Sequence, residues 1–104
     1  MTHYSRGADF ERVVKRDLER RHYLAYRSAG SHGAADLVAL KDGFLPLLVQ
    51  CKLDGKLGPG SRIELLAEAR LGGALALMAS RPKRGAIVYQ IVSLAGISTE
   101  EYEP

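Results

Sequence analysis

Three residues of this sequence, Asp36, Gln50 and Lys52, carry the groups that bind a divalent metal ion and a phosphate. Asp36 opens one apolar run, and Gln50 and Lys52 close the next. Because successive side chains of a strand point to opposite faces, Gln50 and Lys52 are predicted to point the same way. If the two strands pair through the turn at Asp42-Gly43, an acid, an amide and an amine meet at one end of a small sheet.

The chemistry available to such a set is metal-assisted hydrolysis of a phosphodiester. Mg²⁺ prefers oxygen ligands, and Asp36, Gln50 and the backbone carbonyl of Cys51 can supply them. Lys52 can hold a phosphate or stabilise developing charge, and Glu11 on the first predicted helix can bind the metal directly or through water. Taken singly, Asp36 and Lys52 are typical of turn and solvated positions. Their joint spacing favours a nuclease site.

Hydrophobic periodicity predicts the elements that position these residues, in the order α-β-β-β-α-β-β. The first helix is predicted to begin at a cap, Ser5 or Asp9, and to end near His22. Ser61 is predicted to cap the second helix, over residues 62–71. The crossover through that helix makes the third and fourth strands parallel, which predicts an α/β fold with a mixed five-stranded sheet flanked by helices. The predicted strands are residues 23–28, 36–40, 44–52, 74–79 and 86–92.

Length and charge narrow the class of protein. The 104 residues are expected to form a single domain, 1–104, with an acidic tail at about 97–104. The net charge is +3, with 15 basic and 12 acidic residues. Seven of the basic residues lie among the first 27 residues. This concentration of positive charge suits an anionic partner such as DNA, although a solvated helix face explains it equally well. The basic residues among the first 27 are Arg6, Arg12, Lys15, Arg16, Arg20, Arg21 and Arg27.

The sequence also indicates where in the cell the protein is found. Cys51 is the only cysteine, so no intramolecular disulfide is expected. The N-terminus lacks an apolar signal segment, and no stretch approaches the roughly 20 apolar residues of a membrane helix. We therefore expect a soluble, cytoplasmic protein that has no membrane partner.

The sequence resembles the core motif of the PD-(D/E)XK nucleases at Asp36 and at Gln50-Cys51-Lys52, which thirteen residues separate. The chain resembles the archaeal-type Holliday junction resolvases more closely, over about residues 4–93. The block of small and basic residues before the Asp36 strand is the more specific part of that resemblance. The matching stretches are Arg6-Gly7-Ala8, Glu11-Arg12, Arg27-Ser28-Ala29-Gly30-Ser31, Asp36-Leu37-Val38-Ala39 and Val49-Gln50-Cys51-Lys52.

The resemblance implies a restriction-endonuclease-like core and a role for each matching residue. The positions that match the catalytic residues of the family are Glu11, Asp36, Gln50 and Lys52, and Ser31 matches a loop serine near the scissile phosphate. Arg12 and Arg27 match basic residues that contact DNA. The further candidates for DNA contact are Arg6, Lys15, His32 and Lys56.

The resemblance further implies a homodimer that uses Mg²⁺ or Mn²⁺ and cuts four-way (Holliday) junctions by paired symmetric nicks. Two positions depart from the family pattern. Ala35 replaces a proline, and Gln50 replaces the usual second acid, which removes one negative charge from the metal site. A non-cleaving module that binds branched DNA, and a nuclease of the same fold with another DNA substrate, are therefore the alternative functions. The small size and these departures would suit a viral or bacterial relative.

Overall fold

The chain folds into a mixed sheet with one helix on each face. The computed structural model describes residues 3–28, 34–83 and 85–104, and it describes residues 3–6 through their backbone alone. The elements in chain order are α1 (His3–Arg20), β1 (Leu24–Arg27), β2 (Leu37–Leu40), β3 (Leu47–Cys51), α2 (Pro59–Gly72), β4 (Leu75–Ser80), β5 (Val88–Ser93) and β6 (Gly96–Ile97).

The strands lie side by side in sequence order, β1 to β6. Strands β3 and β4 are parallel, as the crossover through α2 requires, and the other neighbours are antiparallel. The predicted α/β class and mixed sheet are confirmed. The sheet has a sixth strand that the sequence did not predict, because two residues, Gly96 and Ile97, are too few to show an alternating pattern.

Helix α1 forms because three large apolar residues recur every four positions. Phe10, Val14 and Leu18 are buried on one face of the helix. The helix ends where His22 adopts a left-handed conformation, φ 73°, and the N–H of Tyr23 donates to the carbonyl of Leu18 at 3.0 Å. The predicted end near His22 is thus close to the observed one, whereas the helix begins before the predicted cap.

Helix α2 begins earlier than predicted. Gly58, not Ser61, is the N-cap, because Pro59 has no N–H and therefore fits the first turn, where backbone donors lack helical partners. The helix buries Leu65 and Ala69 against the sheet. Gly73 ends it with φ 61°, a conformation that glycine adopts without steric cost.

Two apolar clusters, one on each face of the sheet, hold the layers together. Leu47, Val49 and Cys51 face the α1 cluster, whereas Leu48 faces the α2 cluster. This alternation brings the end of β3 between the two layers. Across the described ranges, neither helix has the combination of length and apolar character that a membrane crossing needs.

The C-terminal residues, predicted as an acidic tail, pack against the domain. The N–H of Tyr102 donates to the carbonyl of Tyr89 at 2.7 Å, and the Tyr102 side chain contacts the α1 cluster. The Glu103 carboxylate accepts a hydrogen bond from Arg21 at 3.0 Å. Part of the negative charge at this end of the chain therefore pairs with a basic residue that follows α1.

Candidate active site

Asp36 is held by hydrogen bonds on both sides of β2. Its carbonyl accepts from the N–H of Ser28 at 2.8 Å, and its N–H donates to the carbonyl of Val49 at 2.9 Å. Its carboxylate oxygen Oδ2 accepts from the N–H of Cys51 at 2.8 Å. The strand pairing of β2 and β3 therefore fixes the Asp36 carboxylate at the end of β3.

Glu11 reaches the same end of the sheet from α1. It follows the buried Phe10, so it lies at the edge of the apolar face of the helix. Arg27, the last residue of β1, donates to Glu11 Oε1 from Nε at 3.3 Å and from Nη2 at 3.1 Å. Both bonds end on one oxygen, and the second Glu11 oxygen, Oε2, accepts no hydrogen bond from the residues that the structure describes.

The two carboxyl groups experience an unfavourable environment for negative charge. Burial raises the pKa of Glu11, and the nearby Asp36 raises it further, against the opposing effect of Arg27. Burial likewise raises the pKa of Asp36, while the hydrogen bond from Cys51 and the charges of Lys52 and Arg27 lower it. A bound cation would relieve both penalties, so the electrostatics fit a metal site.

Cys51 contributes its backbone and not its thiol. Burial, followed by the negative charges of Asp36 and Glu11, raises the pKa of the Cys51 thiol far above its ordinary range. The thiol therefore stays protonated and is unsuited to nucleophilic attack. Lys52, the next residue, extends the pairing with β4, because its N–H donates to the carbonyl of Ala79 at 2.9 Å.

Gln50 is half-buried on β3, opposite Met78 of β4. Strand alternation puts Gln50 on the same face as Leu48, and its amide makes no hydrogen bond with any residue that the structure describes. Within the same residues, no group of three His, Cys, Asp or Glu side chains is arranged to hold a metal ion. The two carboxylates, the Gln50 amide and the Cys51 carbonyl are oxygen donors of the type that Mg²⁺ or Mn²⁺ binds.

The predicted DNA contacts have different surroundings. Arg12 pairs with Asp9 at 3.3 Å and Lys15 pairs with Glu19 at 2.9 Å, both along the surface of α1. Lys56 is exposed in the loop between β3 and α2. Three other predicted site positions, Ser31, His32 and the side chain of Arg6, lie outside the described residues.

Sequence reasoning gave no role to one contact near the site. The carboxylate of Glu68 on α2 accepts a hydrogen bond from the backbone N–H of Ala34, two residues before Asp36. The sequence places Glu68 beside the buried Ala69, at the edge of the apolar face of α2. That position signals a half-buried acid, but only the tertiary structure shows its partner.

The fold is a mixed α/β sheet with one helix on each face, and the carboxylates of Asp36 and Glu11 lie near each other at one end of it. The family model described as archaeal Holliday junction resolvase (Hjc) matches residues 2–103, and the chain belongs to this family. A crossover junction endodeoxyribonuclease Hjc from Methanocaldococcus jannaschii is 43% identical over 53 residues, which are 51% of this chain and 38% of that protein. The matched segment thus spans well under half of that relative's length.

A solved structure supports the same family. The 1.6 Å structure of Archaeoglobus fulgidus Hjc, a Holliday junction resolvase, superposes with a TM-score of 0.73 and is 28% identical. The match covers 84% of this chain and 73% of the Archaeoglobus chain. Most of the described sheet and helices therefore follow the architecture of that resolvase.

Proposed function

We propose that this protein is a divalent-metal-dependent endonuclease that resolves four-way DNA junctions by paired symmetric nicks. One observation supports the proposal most strongly. The Asp36 carboxylate accepts a hydrogen bond from the Cys51 N–H, and it is close enough to Glu11 and Lys52 for its charge to affect the pKa of Glu11 and for the charge of Lys52 to affect its own pKa. The family membership and the names of the two relatives agree with it.

Each residue of the site has a distinct task in this proposal. Asp36 and Glu11 hold Mg²⁺ or Mn²⁺, and Gln50 and the Cys51 carbonyl supply neutral oxygen ligands. The metal, when bound, supplies Lewis acidity and neutralises phosphate charge. Lys52 orients the attacking water or stabilises the negative charge that develops on the phosphate.

The basic residues Arg12, Lys15, Arg27 and Lys56 are proposed to contact the DNA backbone. Such contacts make binding strongly dependent on salt, because each phosphate contact releases counterions. Ser31 and His32, which precede Asp36 in the sequence, and Arg6 are also proposed to contact the DNA backbone.

A homodimer is also part of the proposal, because two strands of a junction must be cut in a symmetric manner. The outer face of β1 and β2 suits a partner subunit. Leu24, Tyr26 and Leu40 are 56%, 54% and 41% exposed there, and Phe44 is 57% exposed beside them. Helix α2 makes its main contacts with β3, β4 and β5, so this face of β1 and β2 lies to the side of that helix.

A labelled synthetic four-way junction tests the proposal. The protein is incubated with the junction in Mg²⁺ or Mn²⁺, with Asp36→Asn as the inactive control and linear duplex as competitor. We expect paired symmetric nicks that disappear in the variant and are absent from the duplex. Tight junction binding without nicks in either metal would replace the enzyme with a non-cleaving binding module.

That second candidate, a binding module, is favoured by two observations. Gln50 stands where the family pattern has an acid, and the described residues hold no cluster of three acidic, His or Cys side chains suited to a metal. A site with one negative charge fewer binds a divalent ion more weakly. The dependence of nicking on metal concentration therefore distinguishes a weakened nuclease from an inactive one.

A further inference from the structure

We propose that Glu68 is a positioning residue that holds the segment leading into Asp36. The inference rests on the proposed nuclease function for its effect on activity, but its structural basis stands apart from that function. The Glu68 carboxylate accepts the N–H of Ala34 and so joins α2 directly to the chain that enters β2.

The packing around Ala34 supports this assignment. Ala35 is buried in the same cluster as Leu65 and Ala69 of α2, and Ala34 packs against that cluster. Glu68 lies between these two buried residues along the helix, so its hydrogen bond anchors a segment that already lies on α2. Hydrogen bonds to a charged acceptor are stronger than those between neutral groups, which suits this half-buried position.

The position of Ala34 explains why the anchor concerns the site. Beyond Ala35, the Asp36 backbone pairs with Ser28 and Val49, and its carboxylate meets Cys51. These bonds fix Asp36 from the side of β1 and β3. Glu68 holds Ala34, two residues earlier, from the side of α2.

The contact that the structure gives the Glu68 carboxylate is with the backbone N–H of Ala34. The groups that raise or lower the pKa of Asp36 and of Glu11 do not include Glu68. Its contribution therefore passes through the backbone of Ala34. A residue of this type lowers the turnover rate when it is removed and leaves DNA affinity unchanged.

Three variants separate positioning from charge. Glu68→Ala removes the acceptor, Glu68→Gln keeps an acceptor oxygen without the charge, and Glu64→Ala removes an exposed acid one turn earlier on α2. Hydrogen exchange of the Ala34 amide, kcat and KM for junction nicking, and junction affinity are measured for each. Amide exchange does not depend on activity.

For Glu68→Ala we expect Ala34 exchange to accelerate at least about tenfold and kcat to fall about 10- to 100-fold, with KM and junction affinity unchanged. Glu68→Gln should restore both quantities to within about threefold, and Glu64→Ala should change neither. Unchanged Ala34 exchange in Glu68→Ala, or equal losses of kcat in the Ala and Gln variants, would overturn the proposal.

Two further outcomes are also decisive. If Glu68→Ala does not fold, the exchange of the Ala34 amide in the wild type and in Glu68→Gln decides. Slow exchange in both proteins supports the hydrogen bond from Ala34 to residue 68. Fast exchange in the wild type overturns the proposal. If the wild type binds junctions without nicking them, the nuclease function fails. The exchange of Ala34 in the variants then still decides whether Glu68 holds the segment.

Discussion

Arg27 places two nitrogen atoms on one oxygen of Glu11, at 3.1 and 3.3 Å, and so joins the end of β1 to the outer edge of α1. In the proposed function both partners have competing tasks, because Glu11 is a metal ligand and Arg27 is a DNA contact. Binding of a cation at Glu11 weakens the pull of this carboxylate on Arg27. In the proposed function, the ion pair therefore couples metal binding to DNA binding.

Arg27→Ala should consequently raise metal affinity and lower DNA affinity. Loss of the guanidinium removes a positive charge beside Glu11, so Mn²⁺ should bind several-fold more tightly, as measured by titration calorimetry. The slope of the logarithm of junction affinity against the logarithm of salt concentration should fall by about two, because the homodimer loses one phosphate contact in each subunit. Arg20→Ala, an exposed change at the end of α1, is the control for charge and should leave Mn²⁺ affinity unchanged.

Gln50→Glu should strengthen metal binding. A carboxylate adds a negative charge to the donor set, and we expect about tenfold tighter Mn²⁺ binding and nicking at lower metal concentration. Ala67→Glu adds the same charge on the exposed face of α2 and provides the matched control. Equal metal affinity in Gln50→Glu and the wild type would show that residue 50 lies outside the metal shell.

The raised pKa of Asp36 makes a prediction about stability without metal. The folded state binds the proton of the Asp36 carboxyl group more tightly than the unfolded chain does. Above the raised pKa, the ionised carboxylate therefore lowers the free energy of unfolding. Below the ordinary pKa of a carboxyl group, Asp36 is protonated in both states and this loss of stability disappears. Asp36→Asn should therefore raise Tm at pH 7 in EDTA. The difference from wild type should shrink as the pH falls through the window between the two pKa values.

The matched control for that experiment is Asp42→Asn, in the exposed turn between β2 and β3. This variant should change Tm little at any pH. A lower Tm for Asp36→Asn at pH 7 would mean that the hydrogen bond from Cys51 to the ionised carboxylate outweighs the cost of burial. In saturating Mg²⁺ the wild type should have a higher Tm than Asp36→Asn, because only the wild type is stabilised by binding the metal.

Two buried tyrosines should respond in opposite ways to loss of their hydroxyl groups. Tyr89 donates to Asp17 Oδ2 at 2.7 Å, whereas the buried Tyr23 hydroxyl has no partner among the described residues. Tyr89→Phe should lower the free energy of unfolding by about 1–2 kcal/mol, and Tyr23→Phe should leave it unchanged or raise it. Urea denaturation measures both, and equal losses would contradict the assignment.

The sequence predicted the architecture well because local periodicity determines it. The buried stripe of Phe10, Val14 and Leu18 predicts α1, and the single helix between β3 and β4 requires their parallel pairing. The errors lie at the ends of elements and in the shortest strand. Pro59 extends α2 towards its N-terminus, and β6 has only two residues.

The site was predicted in part. Asp36 and Lys52 follow from strand spacing, because the residues that bring them together are near in sequence. The bond between Arg27 and Glu11, and that between Glu68 and Ala34, join residues 16 and 34 positions apart on different elements. Helix packing angles and strand twist determine such contacts, and neither can be read from residue types alone.

The hydrogen bond between the Cys51 amide and Asp36 has one more consequence. An amide proton that points at a carboxylate changes its resonance frequency when that carboxylate gains a proton or a cation. Cys51 thus carries a native spectroscopic reporter, and a single amide signal can follow the charge state of Asp36 without any label beyond ¹⁵N. The backbone of β3 provides a direct record of what occupies the site.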